Sequence, residues 1–103
     1  MSIRQTLILM LQHLQNDMST VHHAGAGYYS CVPYIRRYNK LLAQARTLFP
    51  SNDGIISTFD NLDEEDPKDP SEKSKVIQAI GVESGQLITL LESTKENADE
   101  ENQ

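Results

Sequence analysis

The sequence predicts a small all-α domain: a three-helix arrangement built on an antiparallel helical hairpin. Apolar residues recur at steps of three and four in three stretches, near residues 3–23, 32–49 and 72–93. No segment shows a convincing alternation of apolar and polar residues that would give a sheet. Because the chain has 103 residues, it has room for one modest core. We expect a single domain over residues 1–93, followed by a disordered acidic tail over 94–103.

The first predicted helix covers residues 3–23, and Ser2 is positioned to cap its N-terminus. One stripe of this helix is apolar and comprises Ile3, Leu7, Met10, Leu11, Leu14, Met18 and Val21. Ile8 and Leu9 widen the apolar surface beyond that stripe. We therefore expect the first helix to be buried on two sides or to lie in an oligomer interface.

The second predicted helix covers residues 32–49 and follows a glycine-rich link at 24–27. Two glycines in four residues disfavour a helix, so the chain should turn there. Pro33 suits the first turn of the second helix, and Pro50 prevents its continuation. Two helices joined by so short a link are expected to pack antiparallel.

An irregular acidic linker is predicted over residues 50–71. Its turn signal at 51–54 is followed by apolar residues that we expect to lie extended across the helices, namely Ile55, Ile56, Phe59 and Leu62. Seven of the eleven residues from 60 to 70 are Asp, Glu or Lys and two are proline, a composition that disfavours regular structure.

The third predicted helix covers residues 72–93, with Ser71 or Ser74 as its cap. Gly81 and Gly85 each weaken a helix by roughly 1 kcal/mol relative to alanine. Their four-residue spacing also creates a small-residue face that another backbone can approach closely. The sequence leaves open whether the helix is continuous through Gly81.

Charge is unevenly distributed along this chain of net charge −6. Residues 1–58 carry five basic and two acidic side chains, whereas residues 59–103 carry a net charge of −9. We expect acidic segments to lie near a basic helix, either within one chain or across a dimer. The pI near 4.9 disfavours a nucleic-acid partner, although aromatic and basic residues are interleaved in the second helix region, at Tyr28, Tyr29, Tyr34, Arg36, Arg37, Tyr38, Lys40 and Arg46.

The longest purely apolar run, at residues 7–11, is far shorter than the roughly 20 residues that span a bilayer, so no membrane association is expected. The single cysteine, Cys31, can form no internal disulfide, which fits a cytoplasmic protein. No cofactor is predicted, because residues 25–27 lack the preceding strand and the further glycines of a nucleotide-binding loop.

A metal site is one alternative, with His13, Asp17, His22 and His23 as its ligands. His13 and Asp17 are four residues apart and would project from the same helix face. Against a metal, the chain lacks a tighter signature such as His-Glu-x-x-His.

A cysteine-dependent enzyme is the second form of this alternative. Cys31 lies near a helix N-terminus with Arg36 and Arg37 close in sequence, and both features lower the pKa of a thiol. The base would have to be His22 or His23. The competing interpretation is that Cys31 is a small buried apolar residue.

Two segments, at residues 7–18 and 38–46, resemble the opening of isochorismatase-type hydrolases. The resemblance implies a different fold, in which residues 6–10 form a buried strand. The chain departs from that family where an aspartate should precede Gln-Asn-Asp, and 103 residues are too few for the family's parallel sheet with its later lysine and cysteine. The helical periodicity that continues through Val21 favours a helix instead.

The predicted function is protein–protein interaction or self-association, including the role of an accessory or regulatory subunit. An enzyme is disfavoured because no convergent set of catalytic residues is present. A small domain with a modest core can complete that core by forming a homo-oligomer. The predicted interface residues are Ile8, Leu9, Met10, Gly81 and Gly85.

Overall fold

A computed structural model describes residues 2–25, 30–49 and 54–93, and these form three α-helices and one short 3-10 helix. The helices are α1 (Ile3–Gly25), α2 (Val32–Arg46), the 3-10 helix (Gly54–Thr58) and α3 (Pro70–Ser93). The described residues include no strand. The predicted all-α three-helix class is therefore confirmed. The predicted tail at 94–103 and the turn at 51–53 lie outside the described residues.

Helix α1 is the central element, because it packs against both α2 and α3. Its contact with α3 is the more extensive one. Gln15 of α1 lies beside Gly85 and Met18 lies beside Gly81, so α1 and α3 run antiparallel. Helix α2 also runs antiparallel to α1, so α2 and α3 are parallel to each other and need a long connection between them.

The core lies where the three helices meet, and buried apolar side chains fill it. Fully buried members include Leu11, Leu14, Ile35, Tyr38, Leu42, Ile77, Ile80, Leu87 and Leu91. Burial of each large apolar side chain contributes about 1.5–3 kcal/mol to folding. The predicted core stripe of α1 is confirmed from Leu7 to Val21, except that Ile3 and Met10 are exposed.

The start of α1 is a capping box. Gln5 N–H donates to Ser2 Oγ over 3.1 Å, and Ser2 N–H donates to Gln5 Oε1 over 3.1 Å. The predicted cap is thus confirmed. Helix α1 continues to Gly25, whose φ of +104° suits glycine at a helix end. The strand at residues 6–10 implied by the hydrolase resemblance is wrong, because these residues lie within α1.

Helix α3 begins at Pro70, two residues before the predicted start. The predicted cap at Ser71 or Ser74 is wrong, because Asp69 Oδ1 accepts the Ser71 N–H over 2.8 Å. An Asp cap followed by proline is favoured because proline lacks the N–H that a first-turn residue cannot pair within the helix. Helix α3 is continuous through Gly81.

Helix α2 ends at Arg46, three residues before the predicted end. A turn follows, in which the N–H groups of Thr47, Leu48 and Phe49 each bond to the carbonyl three residues earlier.

Residues 59–66, here named the strap, run back along α2 towards its N-terminus. Arg46 donates from Nη2 to the Phe59 carbonyl, Arg36 pairs with Glu64 over 2.7 Å, and Asp66 reaches the N-terminus of α2. Phe59 is buried and Leu62 is half-buried, as expected of residues that cross the helices. The predicted extended conformation is wrong for Ile55 and Ile56, which lie in the 3-10 helix. Ile56 is nevertheless buried, whereas Ile55 is 65% exposed.

Candidate functional site

The predicted interface residues of α1 point in three different directions. Successive helical residues are rotated by about 100°, so Ile8, Leu9 and Met10 cannot share one face. Ile8 is half-buried and packs against the core. Leu9 is 42% exposed, and Met10 is 50% exposed and lines a cleft between α1 and α2. One partner surface therefore cannot bury all three side chains equally.

The side of α1 that points away from the core, here named the outer face, consists of Gln5, Leu9, Gln12 and Asn16, and all four are exposed. Their spacing of four, three and four residues places them in one row. Residues 5–16 include no Asp, Glu, Lys or Arg, although 23% of the chain is charged. The outer face is thus an uncharged surface with one large apolar residue near its middle.

The cleft between α1 and α2 is a second exposed apolar feature. Leu7 and Leu41 form its floor and are nearly buried, whereas Ile3 and Met10 at its edge are at least half exposed. Its other lining residues are Thr6, His13, Arg37, Lys40 and Gln44. No carboxylate is among these lining residues.

Gly81 and Gly85 face α1 of the same chain. A Cβ at Gly81 would lie 3.9 Å from Met18 Cβ, and a Cβ at Gly85 would lie 2.7 Å from Gln15 Nε2. Gln15 Nε2 also donates to the Gly81 carbonyl over 3.2 Å. The small-residue face expected from the sequence therefore brings α1 and α3 together within one molecule.

The predicted metal ligands do not converge on one point, although the rings of His22 and His23 lie edge to face with centroids 5.8 Å apart. His13 and His22 are exposed, and Asp17 Oδ2 accepts from Arg37 Nη1 over 2.7 Å. His23 Nδ1 lies 2.7 Å from the Ser19 carbonyl oxygen. Within residues 2–25, 30–49 and 54–93, no group of three or more His, Cys, Asp or Glu side chains could hold a metal ion.

Cys31 is fully buried at the start of α2. Its N–H donates to Asp66 Oδ1 over 3.0 Å. Burial, followed by the negative charge of Asp66, raises the pKa of the Cys31 thiol. The expectation of a lowered pKa is therefore wrong, and the two cations it relied on are paired elsewhere, Arg36 with Glu64 and Arg37 with Asp17. A buried, protonated thiol is a poor nucleophile.

The aromatic and basic residues of α2 do not form a stacking surface for nucleotides. Tyr38 is fully buried, and Tyr34 is half-buried against the core. Arg46 and Arg36 both bind the strap. Tyr28 and Tyr29 lie outside the described residues.

The sequence does not predict the roles that three residues play in this architecture. Asn39 holds the strap, Asp66 binds the N-terminus of α2, and Lys40 lines the cleft. The signal available for Asn39 is its place directly after Tyr38, which the apolar periodicity assigns to the core. A polar side chain that is buried there requires a hydrogen-bond partner.

Comparisons with known proteins give no match to any family model, to any curated protein or to any solved structure. In the part of the chain that the structure describes, none of the helices combines the length and the hydropathy needed to cross a membrane.

Proposed function

We propose that this chain acts through protein–protein interaction, and that its partner is a second copy bound through the outer face of α1. The observation that carries this proposal is the uncharged run at residues 5–16, with Leu9 exposed near its middle. The buried thiol and the histidines, which do not converge with Asp17 on one point, offer no comparable support for the enzyme alternative.

Electrostatics favours this face over the rest of the surface. Two copies with a net charge of −6 each repel one another, and repulsion is weakest where neither copy carries a charge. Protein interfaces are also depleted in charged residues at their centres, because burying an unpaired charge is costly. The outer face carries no charged residue over three turns of helix.

The row of exposed side chains suits an antiparallel pair of α1 helices related by a two-fold axis. With the axis near Leu9, the Leu9 side chains of the two copies meet, and Gln5 of each copy faces Gln12 of the other. Amide side chains can donate and accept across such an interface, so they need not remain unpaired on burial. The same surface patch is used by both copies, as in most homodimers.

Light scattering coupled to size-exclusion chromatography tests the proposal. We expect the purified chain to elute at twice its mass of 11.6 kDa. Leu9→Glu should give a monomer with unchanged helical circular dichroism, because it buries a charge only in the dimer. Val82→Glu is the matched control, since Val82 is 58% exposed and belongs to α3 rather than to the outer face of α1.

A monomeric wild-type chain would overturn the proposal, as would a Val82→Glu variant that dissociates while Leu9→Glu does not. Elemental analysis of the same peak tests the metal alternative, because stoichiometric zinc or iron would favour it. We also propose a cytoplasmic location, which is supported by the single free cysteine.

A further inference from the structure

The cleft between α1 and α2 has the shape of an acceptor for another helix. From Ile3 to His13 its α1 wall covers eleven residues, and the ten steps between them amount to about 15 Å at 1.5 Å per residue. That length accommodates about three turns of a partner helix. Helix α3 already covers a different side of α1, so a helix in the cleft would become the third neighbour of α1.

The lining supplies an apolar floor with a cation beside it. Leu7 and Leu41 form the floor, and Met10 offers a half-exposed side chain at the edge. Arg37 is already paired with Asp17. Lys40 is exposed, and within the described ranges it makes no ion pair. Lys40 is thus the cation that can recognise an incoming group.

The sign of the charge at the cleft is opposite to that of the whole chain. The chain carries a net charge of −6, yet the residues lining the cleft include Lys40, the already paired Arg37 and a histidine, and no carboxylate. A segment with acidic side chains is repelled by the net charge of the chain and attracted to Lys40.

We infer that the cleft binds an acidic amphipathic helix of another protein. Its apolar residues, spaced three and four apart, would lie on Leu7 and Leu41, and a carboxylate at its edge would pair with Lys40. This inference concerns a second surface and does not rest on self-association through the outer face.

The test uses two synthetic helical peptides and fluorescence anisotropy. Both peptides carry leucines along one stripe, and they differ only in having glutamates or lysines on the flanks. We expect the glutamate peptide to bind and the lysine peptide not to bind. Lys40→Glu should weaken binding of the glutamate peptide at least tenfold. Lys68→Glu changes the net charge equally at an exposed site outside the cleft, so it should leave binding unchanged.

Two further measurements separate this inference from self-association. Met10→Ser should weaken binding of the glutamate peptide, because it removes apolar surface at the cleft edge. Leu9→Glu should retain peptide binding, and Lys40→Glu should retain the mass of the wild-type chain. Failure of the glutamate peptide to bind would overturn the inference, as would equal binding by wild type and Lys40→Glu. Displacement of the peptide by decanoate would also overturn it by assigning the cleft to an acyl chain.

Discussion

The side chain of Asn39 pairs in both directions with the backbone of Leu62. Asn39 Nδ2 donates to the Leu62 carbonyl over 2.9 Å, and the Leu62 N–H donates to Asn39 Oδ1 over 2.9 Å. One amide side chain thereby satisfies both polar groups of a strap residue, as a neighbouring β-strand would. This pair fixes the middle of the strap against α2.

Asn39→Ala should destabilise the fold by about 1–3 kcal/mol, because it leaves both backbone groups of Leu62 without their partner in a half-buried position. Urea unfolding monitored by circular dichroism measures the change. Asn16→Ala provides the control, since Asn16 is exposed on α1 and should change stability little. Equal effects of the two substitutions would contradict the role of Asn39.

The two glycines of α3 should respond differently to alanine. At Gly81 the nearest side-chain atom to an added Cβ is 3.9 Å away, an ordinary contact. Gly81→Ala should therefore stabilise the chain by about 0.5–1 kcal/mol through helix propensity. At Gly85 the added Cβ would displace Gln15 Nε2 and break its bond to Gly81, which offsets that gain.

Thermal unfolding of the two glycine variants and of Gln15→Ala measures this difference. Combining Gly85→Ala with Gln15→Ala should recover the propensity gain, because the displaced amide is then absent. A Gly85→Ala variant as stable as Gly81→Ala would show that Gln15 moves without cost.

Tyr38→Phe should preserve or raise stability at neutral pH. The Tyr38 hydroxyl is buried, and in the described part of the chain it has no hydrogen-bond partner. Burial raises the pKa of Tyr38 well above its ordinary value near 10. The ionisation of Tyr38 does not affect the free energy of unfolding below about pH 10. That free energy falls as the pH rises further, because Tyr38 ionises more readily in the unfolded chain.

Denaturant midpoints measured from pH 8 to pH 11, a range that spans about two units below and one above the ordinary value, test this prediction. Tyr38→Phe should lose less stability above about pH 10 than the wild-type chain does. Tyr34→Phe is the control, since Tyr34 is only half-buried. If Tyr38→Phe loses as much stability at alkaline pH as the wild-type chain does, the loss comes from the ionisation of another group.

Protonation of Asp66 at low pH should weaken its contacts with the N-terminus of α2 and with α3. The N–H of Cys31 and then the ammonium of Lys73 hold the pKa of Asp66 below its usual range. A lowered pKa means that the stabilising contribution is fully present above about pH 4 and is lost as the pH falls through the folded-state value.

Asp66→Asn should therefore reduce stability at neutral pH and flatten its decline below about pH 4. Urea midpoints across this range measure both effects. Asp63→Asn tests specificity, because Asp63 is an exposed residue of the same strap. Identical pH profiles for wild type and Asp66→Asn would exclude this contribution.

The helices were predictable because they depend on local periodicity. The apolar stripe of α1 and the Ser2 cap are both encoded within a few residues, and the structure confirms them. Helix boundaries are less predictable: α2 ends three residues before the predicted end, and α3 starts two residues before the predicted start because Asp69 caps it.

Long-range relationships were not predictable in the same way. Asp66 is 35 residues from Cys31 in sequence, yet its carboxylate accepts the Cys31 N–H. The nearby Arg36 and Arg37 pair elsewhere. Sequence adjacency suggests one interface for Ile8, Leu9 and Met10, whereas helical rotation directs their side chains to separate surroundings.

The most extensive helix–helix contact of this fold, between α1 and α3, joins segments that are far apart in sequence. Gln15 and Gly81 are 66 positions apart, so closing the α1–α3 interface carries the entropic cost of a long loop. On the ribosome, α1 and α2 emerge before α3, which makes the larger contact with α1. The nascent hairpin therefore exposes apolar surface until α3 is released, and chaperone binding is expected in that interval.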